Sequence, residues 1–172
     1  MAGYAGLIDR VDQELARLVA DLEKSGELDN TLILFFSDNG ACPFDRKNRG
    51  QDQPPYEPET HWTDSTGWAW VRNAPFRYYK QNQFEGGIST PLIAHWPKGI
   101  TARNELRNEP GHLIDLMATC IELSGAEYPA RFADHDILPL EGRSLAGGFA
   151  ADRGEERTLL FEHFGRAAIR KG

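Results

Sequence analysis

The chain has 172 residues, 40% of them hydrophobic and 26% charged, which suffices for one domain with a real core and argues against a second full domain. A formal net charge of −7 and a pI near 5.2 repel polyanions and argue against nucleic acid or an anionic membrane surface as the main partner. Cys42 and Cys120 stand in contexts unlike a zinc knuckle or a redox pair, no window approaches the roughly 18 apolar residues of a membrane span, and the N-terminus lacks a basic segment followed by an apolar one. Read literally, this is a soluble, unexported chain. Met1 nevertheless leads straight into a helix pattern with no preceding strand, the pattern of an internal methionine in a longer protein.

Tyr4, Leu7, Ile8, Val11, Leu15, Leu18, Val19 and Leu22 recur at three- and four-residue steps, with Asp9, Arg10, Glu14 and Arg17 on the other face. The pattern predicts an amphipathic helix that closes near Ser25-Gly26. Leu32 to Phe36 is an apolar run without polar alternation, which reads as a strand buried on both faces of a sheet. Asp38-Asn39-Gly40 follows at its carboxyl end, where open α/β sheets keep their sites because the strand fixes the backbone and the loop aims side chains into a crevice. Two oxygen donors suit a hard cation such as calcium or magnesium, which needs roughly six. Asp-Asn-Gly is also ordinary turn chemistry, and the residues alone leave both readings open.

Between Cys42 and Asn73 the chain turns polar and then aromatic, with His61, Trp62, Trp68 and Trp70. Such a loop either lines a site or is a surface excursion anchored by its tryptophans. Ala74 to Lys80 reads as the start of a short strand or an extended segment, Glu85-Gly86-Gly87 as a tight turn, and Thr90 to Pro97 as a second buried strand in which His95 is a satisfied core residue. A further helix is expected from His112 to Leu123, with His112 capping or abutting it, and a last strand from Thr158 to Glu162. The segment from Ala126 to Arg157 is rich in Pro, Gly and charge.

Taken in order, these residues resemble the type I, formylglycine-dependent sulfatases, most closely the arylsulfatase branch. The resemblance rests on Tyr4-Ala5 through Asp12, Gly26 to Thr31, Ser37-Asp38-Asn39-Gly40, Gly67-Trp68-Ala69, Asn73 with Pro75-Phe76-Arg77, Tyr79-Lys80, Glu85 to Pro91, His112 to Met117, Leu140 to Leu145 and Phe161-Glu162-His163. It implies an α/β fold, part of an alkaline phosphatase/sulfatase-like mixed sheet flanked by helices and truncated at both ends. Residues 1–157 would be the C-terminal part of the catalytic domain, and 158–172 the start of the smaller C-terminal subdomain.

The resemblance further implies that Asp38 and Asn39 are calcium ligands and that Lys80 contacts the sulfate group of the substrate. A sulfate ester is anionic, and a fixed cation beside a metal stabilises the charge that shifts among its oxygens during transfer. Lysine serves as a point charge there without a planar fit. Glu85 reads as structural, making the turn, and His163 matches a position of uncertain role at the pocket rim. His61 is a weak candidate for substrate contact. Partners would be a sulfate-ester small molecule or a sulfated glycan, with no nucleic acid and no membrane, and the parent family is often periplasmic, secreted or lysosomal.

No catalytic nucleophile is expected in this chain. The family makes formylglycine within Cys/Ser-x-Pro-x-Arg, whereas Cys42-Pro43-Phe44-Asp45-Arg46 puts proline one position early and lies after the Asp-Asn-Gly element. The parent reaction would be hydrolysis of a sulfate ester to an alcohol or phenol and sulfate, and the isolated chain should be inactive. Rival readings are a phosphatase or phosphodiesterase of the alkaline phosphatase superfamily, which usually needs two zinc or similar ions, and a noncatalytic anion-binding module. A sheet lacking strands would leave an open edge and favour self-association.

Overall fold

The computed structural model describes residues 2–45, 52–54, 56–60, 62–63, 65–154 and 156–172, so His61 and the polar run 46–51 fall outside the description. Two compact units divide the chain, Met1–Gly99 and Ile100–Gly172.

The first unit opens with α1, Ala2–Ser25. Gly26 stops it in the left-handed region (φ 75°), and the helix end is closed by Gly26 N–H to Glu23 C=O at 3.0 Å and Glu27 N–H to Leu22 C=O at 2.9 Å. This is the predicted stop. After a single turn at Leu28–Asn30, β1 (Ile33–Phe36) enters. The unit also contains α2 (Thr66–Asn73), the one-turn α3 (Glu85–Ile88) and β2 (Leu92–His95). β1 and β2 pair antiparallel, with Ile33 opposite His95 and Phe36 opposite Leu92.

Several expectations for this unit are corrected. Neither strand is buried on both faces: β1 is mostly half-buried with Phe35 exposed, and Leu92, Ile93 and His95 of β2 are exposed. An apolar run is buried twice only when layers cover both faces, and among the described residues β1 has β2 as its only strand partner. His95 is therefore not a core residue. No residue of α1 is buried either, and Leu7 of its apolar stripe is 67% exposed. The aromatic segment is no plain loop, since Thr66–Asn73 is helical, and Glu-Gly-Gly forms a helical turn instead of a tight reversal.

The second unit contains α4 (Ile114–Ser124), the short pair β3 (Arg131–Phe132) and β4 (His135–Asp136), and the hairpin β5 (Thr158–His163) and β6 (Arg166–Lys171). α4 ends at Gly125 with φ 67°, and His112 Nδ1 accepts the Ile114 N–H at 3.4 Å, as expected of a capping histidine. β6 has no counterpart among the strands expected from the sequence. Phe164 and Gly165 both have positive φ (51° and 72°), the two-residue loop whose twist suits an antiparallel pair.

The core of this unit is built around a buried acid. Asp115 is fully buried in α4 and takes both arms of the Arg157 guanidinium, one at 2.8 Å. It also accepts the Arg143 N–H at 2.8 Å and the His112 N–H at 2.7 Å. Burial by itself would raise its pKa, but Arg157 and the two backbone donors outweigh that and hold the carboxyl below its ordinary value. One turn on, buried Thr119 gives its hydroxyl to the Asp115 carbonyl at 2.7 Å and accepts the Leu145 N–H at 2.8 Å. Helix, loop and β-hairpin entry are thus tied to one side chain and its neighbour.

The α/β character expected of the chain is present. Its described strands form three separate two-stranded antiparallel pairs, and they do not by themselves assemble a mixed sheet.

Candidate functional site

The loop after β1 is fixed where it leaves the strand. Ser37 N–H reaches Thr90 Oγ1 at 3.3 Å, and Ser37 Oγ donates to the Asn39 carbonyl at 2.9 Å, which folds the acid and amide into a turn. The next residues dock on the segment before β2. Gly40 N–H donates to Gly87 C=O at 3.1 Å, and Lys80 N–H donates to Ala41 C=O at 3.1 Å.

This approach depends on residues without side chains. A methyl group on Gly40 would lie on the Gly86 carbonyl, and one on Gly86 would strike the Tyr78 and Arg77 carbonyls. Neither glycine has positive φ, so what each supplies is space. Gly86 and Gly87 are buried in α3, and Gly86 N–H donates to Arg77 C=O at 2.9 Å. Glu85 begins the same turn and accepts the Ser89 hydroxyl.

Lys80 sits on a backbone held in an unusual path. Tyr78 and Gln81 have φ of 61° and 71°, a region that non-glycine residues rarely occupy. Asn82 Nδ2 donates to the Tyr79 carbonyl at 3.2 Å and to the Lys80 carbonyl at 3.4 Å. Aromatic rings wall the segment: Tyr78 stacks on Phe84 at 4.8 Å and contacts Trp70 at 5.3 Å, while the Arg77 guanidinium lies 4.3 Å from the Phe84 ring centre.

The structure therefore joins, through backbone, the turn carrying Asp38 and Asn39 to the segment carrying Lys80. Asp38 is exposed, whereas Asn39 and Lys80 are half-buried. None of the three side chains has a hydrogen-bond or ion-pair partner among the described residues. The arrangement thus offers a carboxylate, an amide oxygen and an ammonium that no described residue engages. The donor chemistry fits part of a calcium shell, and because calcium takes six to eight oxygens the remainder must come from elsewhere. Among the described residues no group of three or more His, Cys, Asp or Glu forms. Cys42 is a free, half-buried cysteine whose carbonyl accepts from Arg72 at 3.5 Å. His163 lies exposed at the end of β5 with its ring against Phe164.

Two residues with larger structural parts than the sequence indicates are Asn73 and Asp115. Both lie in motifs that carry the family resemblance, but their long-range hydrogen bonds leave no local signal.

A family model described as Sulfatase matches residues 1–126. The chain belongs to the sulfatase family. Its curated relatives include an uncharacterised sulfatase of Schizosaccharomyces pombe, 29% identical over 189 residues, covering 100% of this chain and 34% of the relative. The N-acetylgalactosamine-6-sulfatase of Mus musculus is 30% identical over 146 residues, covering 83% and 24%. An arylsulfatase of Klebsiella aerogenes is 28% identical over 166 residues, covering 85% and 34%. This sulfatase chain thus spans about a quarter to a third of the length of these relatives. Membership places it in a family of sulfuric ester hydrolases.

Proposed function

We propose that this chain is the C-terminal part of a sulfatase catalytic domain, in which Asp38 and Asn39 supply part of a calcium site and Lys80 holds the sulfate group of the substrate. Residues 158–172 would begin the smaller C-terminal subdomain. The observation that carries the reading is the pair of hydrogen bonds, Lys80 N–H to Ala41 C=O and Gly40 N–H to Gly87 C=O, both 3.1 Å, that dock the acid–amide turn on the lysine segment. The side chains of Asp38, Asn39 and Lys80, without partners among the described residues, support it further.

Calcium bound there would supply positive charge against the sulfate oxygens. Asp38 and Asn39 would hold it through their oxygens. Lys80, carried on a backbone clamped at its N–H and its C=O, would present its ammonium without the entropy cost of ordering a loop. The family's formylglycine nucleophile has no counterpart in these residues. The chain alone is therefore expected to bind sulfate without turning over an aryl sulfate.

Titration of inorganic sulfate into the full chain in calcium-containing buffer tests this. Lys80→Ala is expected to weaken binding by about tenfold to a hundredfold, and Lys80→Arg to retain more of it because the charge survives while the point geometry does not. Equal sulfate affinity for wild type and Lys80→Ala would rule Lys80 out as the anion contact.

A further inference from the structure

Asn73 is the last residue of α2, half-buried, and each end of its side-chain amide is used by backbone from a different segment. Its Oδ1 accepts the Ala41 N–H at 3.1 Å, and its Nδ2 donates to the Tyr78 carbonyl at 3.0 Å. The orientation of the amide is fixed by its partners, because a backbone N–H requires the oxygen and a backbone carbonyl requires the nitrogen. Ala41 follows Asn39 by two residues, and Tyr78 precedes Lys80 by two.

The contacts close a ring. Ala41 donates to Asn73, Asn73 donates to Tyr78, the chain runs from Tyr78 through Tyr79 to Lys80, and Lys80 N–H returns to the Ala41 carbonyl at 3.1 Å. One planar, rigid group thus spans the gap between the acid–amide turn and the lysine segment. The ring also includes one of the two left-handed residues of the segment, Tyr78 at φ 61°. A tyrosine in the left-handed region persists only where its surroundings hold it. The donor on its carbonyl comes from Asn73.

We infer that Asn73 is a positioning residue that sets the spacing between the Asp38-Asn39 turn and Lys80, an inference that rests on the calcium and sulfate reading of those residues for its functional consequence. Without the Asn73 amide, Ala41 loses its acceptor and Tyr78 loses the bond that restrains it. The Lys80–Ala41 backbone bond then carries the spacing alone, and it loosens although no group that touches a ligand has changed. The Gly40–Gly87 and Lys80–Ala41 backbone bonds keep the two segments docked, and the Asn73 amide adds a side-chain bridge between Ala41 and Tyr78.

The test uses the full isotope-labelled chain and two variants. Asn73→Ala removes both bonds. Asn73→Asp keeps an acceptor for Ala41 and removes the donor to Tyr78. Amide hydrogen exchange at Ala41 and Lys80 is read against Leu34 in β1 as an internal standard, and inorganic sulfate is titrated in calcium-containing buffer. In Asn73→Ala the Ala41 amide, having lost its acceptor, is expected to exchange about tenfold faster, and the Lys80 amide, whose own bond to the Ala41 carbonyl is kept but no longer braced, is expected to exchange faster by a smaller factor, with Leu34 unchanged. Sulfate affinity should fall about tenfold. Asn73→Asp should leave Ala41 protected, shift the Tyr78 Cα resonance and weaken sulfate. Unchanged Ala41 and Lys80 exchange in Asn73→Ala, or equal acceleration at Leu34, would overturn the inference, the latter by reducing Asn73 to a general stability residue. If wild type shows no sulfate response at all while the two amides respond to Asn73→Ala, the brace stands and the sulfate reading fails.

Discussion

Replacing Asp115 with Ala is expected to destabilise the second unit by about 3–5 kcal/mol, because it leaves the Arg157 guanidinium and two backbone donors unpaired in the core. The loss should be local first. Exchange protection at the Arg143 and His112 amides should collapse, since both donate to the carboxylate that the substitution removes. Urea unfolding of the variant, followed at residues of α4 and β5, measures the size of the effect. Asp115→Asn keeps one acceptor and the shape but not the charge, and should cost less than Asp115→Ala.

The same carboxylate sets a pH dependence. Its folded pKa lies below its unfolded value, so its contribution to stability is complete above the unfolded value and fades as pH falls through the folded one. With an unfolded aspartate near pKa 3.9, stability of this unit should hold above about pH 5 and drop below about pH 4. Asp115→Asn should flatten that drop. A wild-type unit as stable at acid pH as at neutral pH, or an Asp115→Ala chain with unaltered α4, would remove Asp115 as the keystone of this unit.

Gly86→Ala should be the most damaging single methyl in the first unit. Its Cβ would enter space held by two carbonyl groups, which cannot rotate away as a side chain can, so the cost is about 1–3 kcal/mol or more, with displacement of α3. Gly40→Ala should act alike by driving the acid–amide turn off Gly86. Gly6, within α1 and with nothing inside 4 Å of the place a methyl group would take, provides the contrast. Gly6→Ala should stabilise the helix by about 0.5–1 kcal/mol. Thermal unfolding of the three variants, with the Lys80 amide resonance as a local reporter, decides the matter. Neutral behaviour of Gly86→Ala would mean that the close approach of the two segments is not required.

What can be read from the sequence follows from how local each signal is. The period of Leu7, Val11, Leu15 and Leu18 announces α1 and Gly26 its end, because both act within one or two turns. The positions of β1, β2, α4 and β5 are legible for the same reason. Their burial is not, since apolar character says that a strand can be covered and not whether its neighbours are there. α2 is hidden by Gly67 and by four aromatic or β-branched residues that favour helix poorly. β6 is hidden by Arg166-Ala167-Ala168-Ile169-Arg170-Lys171, in which only Ile169 is β-branched.

The candidate site divides along the same line. Asp38, Asn39 and Lys80 are marked by ordered motifs. The backbone bonds that join their segments, the space left by Gly40 and Gly86, and the Asn73 brace connect residues remote in sequence and have no period to betray them. Asp115 is equally silent, an ordinary acid in a helix until Arg157 folds onto it.

If the Asp38-Asn39 turn holds a hard cation beside Lys80, as proposed, a paramagnetic hard cation reports it directly. Gadolinium(III) added at low stoichiometry to the labelled chain should seek oxygen ligands of the calcium type. Selective broadening of the Asn39 side-chain amide and the Lys80 backbone amide is expected, relieved by calcium and abolished by Asp38→Ala. Broadening confined to the acidic face of α1, around Asp9 and Glu14, with Asn39 and Lys80 left sharp, would contradict it.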